Sequence, residues 1–184
     1  MRVITGTARG RKLAAPEGLD TRPTTDKVKE AICSALQFEF SSAKVLDLFA
    51  GSGQMAIEAL SRGAKCAVLT DRDQRAVSCI SQNIKACGFS EIAAVYKTDA
   101  LAYLQRCTER FDIAFLDPPY GKGILPEILP VLAKIMSENG VIVCEHEPDL
   151  KLPEQILDFH LQKQKKYGKI TVSIYRIPES EDAD

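Results

Sequence analysis

The sequence predicts an α/β protein: a doubly wound, mainly parallel sheet of seven strands. A C-terminal antiparallel hairpin closes the sheet, and a small basic N-terminal β/helix extension precedes it. Three observations carry this reading. From residue 44 onward, short runs that are apolar on both faces alternate with amphipathic segments, as strands do when helices cover both sides of a sheet. The last two β-like stretches bracket Tyr167-Gly168 with no helix between them, which marks a hairpin. Finally, 184 residues with 45% hydrophobic and 27% charged side chains suit one globular domain with a substantial core.

The elements follow in order. "MRVITGTARGRKL" carries Arg2, Arg9, Arg11 and Lys12 without an acid, interleaved with Gly6 and Gly10, and reads as a mobile arm or hairpin. "TRPTTDKVKEAICSALQFEF" reads as a helix started by Thr24 or Thr25. Strands are expected at Lys44–Phe49, Ala67–Thr70, Ile92–Tyr96, Ile113–Leu116 and Val141–Cys144, with helices at about 54–62, 73–87, 98–107 and 124–138. "ILDFHLQKQKKYGKITVSIYRI" supplies the two hairpin segments. One domain spans 1–178, with residues 1–40 as extension and first helix and 41–178 as core. Residues 179–184 read as an acidic disordered tail.

Composition excludes several classes. No apolar run approaches the ~20 residues of a membrane span, and the N-terminus lacks the apolar core of an export signal, so a cytoplasmic protein is expected. Six cysteines form no CxxC pair, and most sit in apolar patterns, as reduced thiols do. His146 and His160 have no ligand partners at metal spacing, so no metal is expected. The net charge of −1 hides a bias. Besides the basic opening, "KQKKYGKITVSIYR" adds Lys163, Lys165, Lys166, Lys169 and Arg176 with no acid, a distribution suited to nucleic acid.

Ligands of such folds sit at the carboxyl ends of the strands, where the unusual residues of this chain fall. In "VLDLFAGSG", Gly51 and Gly53 permit a tight turn where a Cβ would clash with a ligand. Asp71 ends the second strand, a position from which an acid can bind ribose hydroxyls. A plain strand-to-helix turn with a surface aspartate is the alternative. The glycines also satisfy the looser dinucleotide fingerprint, but Asp47 just before them would repel a pyrophosphate and suits a ligand with an ammonium group. S-adenosylmethionine has that ammonium and an adjoining ribose. Asp99, at the end of the third strand, could receive the adenine amine or simply cap a helix.

"FLDPPYG" is the sharper signal. An Asp-Pro-Pro-aromatic run should occur by chance in well under roughly one chain in a hundred of this length. As structure alone it is a strand terminator. As chemistry, Asp117 and the carbonyl of Pro118 are two acceptors for the N–H bonds of an exocyclic base amine. Such acceptors favour the pyramidal, lone-pair-exposed form that develops in attack. Pro118 and Pro119 hold them rigidly, and Tyr120 offers a ring for the base to stack on.

Together "VLDLFAGSG…EALSRGA", "TDRDQRAV…QNI" and "FLDPPYGKG" resemble the Rossmann-type, S-adenosylmethionine-dependent amino-methyltransferases. The opening "MRVITGTARGRKL…DTRPTTDKVKEA" and the closing "KKYGKITVSIYR" resemble the RsmD family, the 16S ribosomal RNA guanine-N2 methyltransferases. The similarity covers nearly the whole chain except the acidic tail. Two departures are visible: Gln54-Met55 stands where smaller residues are usual, and Asp71 where the family usually has Glu. The resemblance implies methyl transfer to the N2 amine of guanine 966, flipped out of its helix or loop. It implies a cofactor site of Asp47, Phe49, Ala50, Gly51, Ser52, Gly53, Asp71, Arg72, Asp99 and Ala100. RNA contacts are expected from Arg2, Arg9, Arg11, Lys12, Arg22, Lys166, Tyr167 and Lys169, with the N-terminal ones belonging to the RNA rather than to the fold. The partner is 16S ribosomal RNA or a small-subunit assembly intermediate, and the protein is expected to be a monomer. A DNA adenine or cytosine amino-methyltransferase would use the same four residues but needs a target-recognition domain for which this chain has no room. A protein-glutamine methyltransferase leaves the basic flanks unexplained. A non-catalytic RNA-binding assembly factor leaves the acids and Asp-Pro-Pro-Tyr unexplained.

Overall fold

The computed structural model describes residues 1–16, 18 and 25–178. Its strands are β1 (Lys44–Asp47), β2 (Cys66–Asp71), β3 (Ala93–Lys97), β4 (Phe111–Leu116), β5 (Met136–His146), β6 (Gln155–Ile156), β7 (Phe159–Tyr167) and β8 (Ile170–Arg176). The helices are α1 (Asp26–Ala35), α2 (Gln54–Ser61), α3 (Gln74–Cys87), α4 (Ala100–Arg106) and α5 (Ile124–Ala133). One sheet orders the strands β3-β2-β1-β4-β5-β8-β7-β6. The first five are parallel, and the last three pair antiparallel. The chain winds outward from β1 to β3, then returns to lay β4 on the other side of β1. Strand order therefore reverses between β1 and β4, where a crevice opens at the carboxyl edge.

The apolar runs form strands because both of their faces are covered. Along β1, Val45 joins the core under α1, α2 and α3, while Leu46 joins the core under α4 and α5, and neither reaches solvent. The same split recurs at Ile113 and Ala114 of β4 and at Val141 and Ile142 of β5. Each such side chain contributes about 1.5–3 kcal/mol of burial when it is large. Local signals fix the helix ends. The Thr25 hydroxyl accepts from Val28 N at 3.4 Å, and Asp73 caps α3 through Arg75 N at 2.8 Å. Gly88 ends α3 in the left-handed region at φ 79°.

Three expectations need correction. The sheet has eight strands, not seven. The extra one, β6, is two residues long and turns into β7 through Leu157 at φ 51°, too short to show a period in sequence. The fifth helix stops at Ala133, and Met136 already pairs with Phe111; apolar Ile135 and Met136 continue the helical spacing and mask the switch.

The third correction concerns the N-terminus, which belongs to the fold. Val3 N donates to the Arg11 carbonyl and Gly10 N to that of Val3, both at 2.9 Å, and Arg2 bridges Lys12. Val3, Ala8 and Leu13 are buried in the core beside α2. The Glu58 carboxylate accepts from Ile4 N at 2.8 Å and Thr5 N at 3.0 Å. Ser61 Oγ accepts from Ala8 N at 2.9 Å and donates to the Thr5 carbonyl at 2.6 Å. Gly6 lies so close to α2 that a Cβ would fall 1.7 Å from the Ser61 carbonyl oxygen. The buried Lys29 ammonium donates to the Arg2 carbonyl at 2.6 Å. Val3, Ala8 and Leu13, interleaved with the cations, make this anchor together with the bonds to Glu58 and Ser61. Arg22 and residues 179–184 lie outside the described residues.

Candidate active site

Alternation along the strands sends Asp47, Asp117 and Glu145 to the same face of the sheet as Val45, Phe115 and Val143. All three carboxylates line one cleft at the carboxyl edge of β1, β4 and β5, walled by Phe49, Ala50 and Gln54. Asp47 is only 4% exposed, and among the described residues a long 3.4 Å contact from Ala56 N is the hydrogen bond it receives. Burial pushes its carboxyl up to about 7; the Ala56 N–H opposes this, and the nearby charges of Asp117 and Asp71 reinforce it. Asp117, one residue past β4 and half-buried, is also pushed up to about 7 by burial. Two acids held this way repel each other when both ionise, so the cleft favours a cation or a hydrogen-bond donor between them.

The glycine turn after β1 is held from β2. Asp71 accepts from Gly51 N at 3.0 Å with one oxygen and from Asp73 N at 2.9 Å with the other. Gly51 (φ 56°) and Gly53 (φ 77°) both require glycine geometry, but their surroundings differ. A Cβ on Gly51 would meet open space, whereas one on Gly53 would press on Leu69 Cδ2 at 3.1 Å. Gly51 thus leaves room for a ligand, while Gly53 lets α2 approach β2. The Ser52 hydroxyl donates to Met1 Sδ at 3.6 Å, and its carbonyl accepts from Asn83 Nδ2 at 2.9 Å. Asn83 Oδ1 also accepts from Ala14 N at 2.8 Å, which ties the N-terminal segment to the glycine turn.

The remaining expected residues are placed less centrally. Arg72 is exposed beside Asp71. Asp99 lies two residues beyond β3 and caps α4, accepting from Leu101 N at 3.0 Å and Ala102 N at 3.2 Å with one oxygen. Ala100 is buried beneath it. Pro118 is buried, Pro119 is exposed, and Tyr120 is 43% exposed. Gly121 N donates to Glu147 Oε1 at 3.0 Å, fastening the turn after Tyr120 to the segment after β5.

Among the described residues, no cation belongs to the lining of the cleft. Arg2, Arg9, Arg11 and Lys12 are exposed. The turn before Arg9 is anchored at Ser61, the far end of α2 from the glycine turn, about 12 Å away for an eight-residue helix, whereas Met1, beside Arg2, reaches Ser52 in the glycine turn. Lys166 and Lys169 are exposed at the β7–β8 turn, and Tyr167 is half-buried with Lys165 Nζ 5.4 Å from its ring centroid.

Glu145, Glu147 and Asn83 were not singled out in the sequence. "VIVCEHEP" carried a signal for the first two, because an acid closing an apolar run is the logic that picked out Asp47 and Asp117. Asn83 sits on the buried face of α3, where an amide reads as a surface residue. Gln54, noted as a departure, is buried at the cleft with Oε1 lacking a hydrogen-bond partner among the described residues.

Comparison with known proteins agrees with this architecture. The family described as Conserved hypothetical protein 95 matches residues 1–176. YlbH of Bacillus subtilis is 41% identical over 181 residues, covering 96% of this chain and 98% of YlbH. Ribosomal RNA small subunit methyltransferase D of Escherichia coli strain K12 is 31% identical over 186 residues, covering 100% of this chain and 93% of its own. The solved structure of Escherichia coli yhhF superposes with a TM-score of 0.86 at 32% identity, covering 97% of this chain and 99% of that one. The doubly wound sheet with its antiparallel closing hairpin is the fold of the Rossmann-type methyltransferases. The chain belongs to the RsmD family.

Proposed function

We propose that this chain transfers the methyl group of S-adenosylmethionine to the exocyclic N2 amine of a guanine in 16S ribosomal RNA, at guanine 966. The observation that carries the reading is the shared cleft. Asp117, stiffened by Pro118 and Pro119 at the end of β4, faces the space that Asp47 borders at the end of neighbouring β1. Relatives named as ribosomal RNA small subunit methyltransferases support the substrate class.

The residues present suit the cofactor. S-adenosylmethionine supplies an electrophilic methyl on a sulfonium that leaves as a neutral thioether, so no metal is called for. Asp47, buried and short of hydrogen bonds, suits the ammonium. Asp71 has one lone pair left on each oxygen for ribose hydroxyls. Asp99 keeps its second oxygen for the adenine amine, with Arg72 and Ala100 flanking. Phe49 and Ala50 wall the cleft, and the Gly51-Ser52-Gly53 turn brings backbone to it.

Asp117 and the Pro118 carbonyl accept the two N–H bonds of the target amine and orient its lone pair toward the methyl. As the N–C bond forms, they stabilise the positive charge on nitrogen, and Asp117 can take the proton that is lost. Tyr120 stacks on the extruded base, worth about 1–3 kcal/mol. RNA contacts fall to the exposed cations Arg2, Arg9, Arg11 and Lys12, to Arg22, and to the turn carrying Lys166, Tyr167 and Lys169. The protein acts as a monomer of one domain, 1–178, in the cytoplasm, on RNA or an assembling small subunit.

The test is transfer of labelled methyl to unmodified 16S ribosomal RNA and small subunits, with the modified base mapped. Label on guanine N2 is expected. Label on another atom, or none on either substrate, overturns the reading.

A further inference from the structure

We propose that the groove between α1 and β7 is an RNA subsite that takes the single strand flanking the target base, with its phosphates on Lys163 and Lys165. This rests on reading the chain as an RNA methyltransferase and adds to that reading the path of the substrate.

Strand alternation sorts the basic closing segment into two faces. Lys163, Lys165 and Tyr167 pair with Ile174, Val172 and Ile170, which belong to the core beneath α1. Lys166 pairs with Thr171, which is itself opposite His146, and so faces the other side of the sheet. The two lysines and Tyr167 therefore form one wall of a groove whose other wall is Ala31 and Ala35 of α1. Val172 and Ile174 make its floor. β7 contains no acid, and the helix acids Asp26 and Glu30 are outside the lining.

An apolar floor beside a row of cations fits a single strand, which presents bases and phosphates together. A duplex hides its bases and would leave the floor unused. The groove also continues the catalytic cleft, since Ile32 lines both. Glu145 in the cleft is opposite Val172, and Val172 is opposite Lys165, so two strand spacings, about 10 Å, separate them. The cation–π contact with Tyr167 holds Lys165 toward the end of the groove nearer the cleft.

The experiment measures binding of a short single-stranded RNA lacking guanine across a series of salt concentrations, together with methyl-transfer kinetics on unmodified small subunits. For Lys163→Ala/Lys165→Ala, affinity should fall about tenfold, and the slope of log affinity against log salt should become shallower by roughly 1.4, the loss of two single-strand phosphate contacts. KM for the RNA substrate should rise with kcat and cofactor affinity unchanged. Lys134→Ala, an exposed cation past the far end of α5, should match wild type. If the alanine pair does not fold, Lys163→Gln/Lys165→Gln carries the same expectations. Equal slope and affinity in variant and wild type overturn the subsite even when methylation proceeds. A shallower slope in a protein that methylates no ribosomal RNA leaves the subsite standing and removes the proposed function.

Discussion

Asp47 and Asp117 are held by burial at about 7, so each is only partly ionised in a neutral solution. An ammonium ligand favours the ionised form of Asp47, which makes cofactor affinity depend on pH with a definite sign. Binding should tighten from pH 6 to pH 8 and release protons in the lower part of that range. Calorimetry in two buffers of different ionisation enthalpy reads the proton count, and an affinity independent of pH would remove Asp47 from the ammonium contact. Asp117→Ala should lower kcat by about a hundredfold or more, on the order of 3 kcal/mol, with cofactor affinity within a few-fold. A single-turnover rate near wild type would count against the amine-acceptor role. Asp71 carries two tasks, since its oxygens hold Gly51 N and Asp73 N as well as facing the proposed ribose site. Asp71→Asn keeps only one acceptor oxygen. Weaker cofactor binding should therefore come with a lower melting temperature, from about 1–3 kcal/mol lost at the unsatisfied N–H. Asp99 shows where residue-level reading stops: the same acid after a strand can face a ligand or cap a helix, and here one oxygen caps.

At the scale of elements, the parallel strands were legible because burial on both faces writes an unbroken apolar run, and the hairpin because Tyr167-Gly168 joins two β-like stretches, one basic and exposed and one apolar and buried, with no helix between them. β6 was not legible, since two residues cannot display alternation. The N-terminal segment was only half legible, for a different reason. Its charge density predicts a mobile arm or a hairpin; the hairpin is what forms, and besides its buried apolar side chains it is held by backbone N–H groups reaching Glu58 and Ser61, which side-chain chemistry does not announce. This separates two variants. Arg9→Ala/Arg11→Ala/Lys12→Ala removes exposed side chains and should leave the melting temperature nearly unchanged. Glu58→Ala strips a buried carboxylate from Ile4 N, Thr5 N and Arg62 Nε, and should destabilise by about 3 kcal/mol or more. Limited proteolysis should then cut the first dozen residues of the Glu58 variant and spare those of the triple variant. Equal resistance in both would mean that the apolar contacts of Val3, Ala8 and Leu13 suffice without the carboxylate.

For the whole molecule, the cost of assembling acids at one sheet edge should appear as a stability that falls as pH rises. A carboxyl whose folded value lies above its unfolded one binds its proton more tightly in the native state. Unfolding therefore releases a proton between the two values, and stability declines with rising pH across that window. For Asp47 and Asp117 the window runs from about 4 to about 7: the advantage of the protonated form is complete below the window and gone above it. Asp73, drawn down to about 2 chiefly by its bond to Arg75, acts in the opposite sense, but only below pH 4. The thiols of Cys33 and Cys144 are pushed upward by burial and act above pH 9. Between pH 5 and pH 8 neither Asp73 nor these thiols change charge, so among these groups the two cleft acids set the trend. A loss on the order of a few kcal/mol corresponds to roughly 5–10 °C for a chain of this size. The ligand-free protein should melt lower at pH 8 than at pH 5 by about that amount, and Asp47→Asn/Asp117→Asn should flatten the curve. A cofactor that selects ionised Asp47 should reverse the trend, raising the melting temperature more at pH 8 than at pH 6. A wild-type curve that rises from pH 5 to pH 8 without ligand would mean that these carboxyls are solvated and ionised in the native state, and that the cleft is built for something other than a cation.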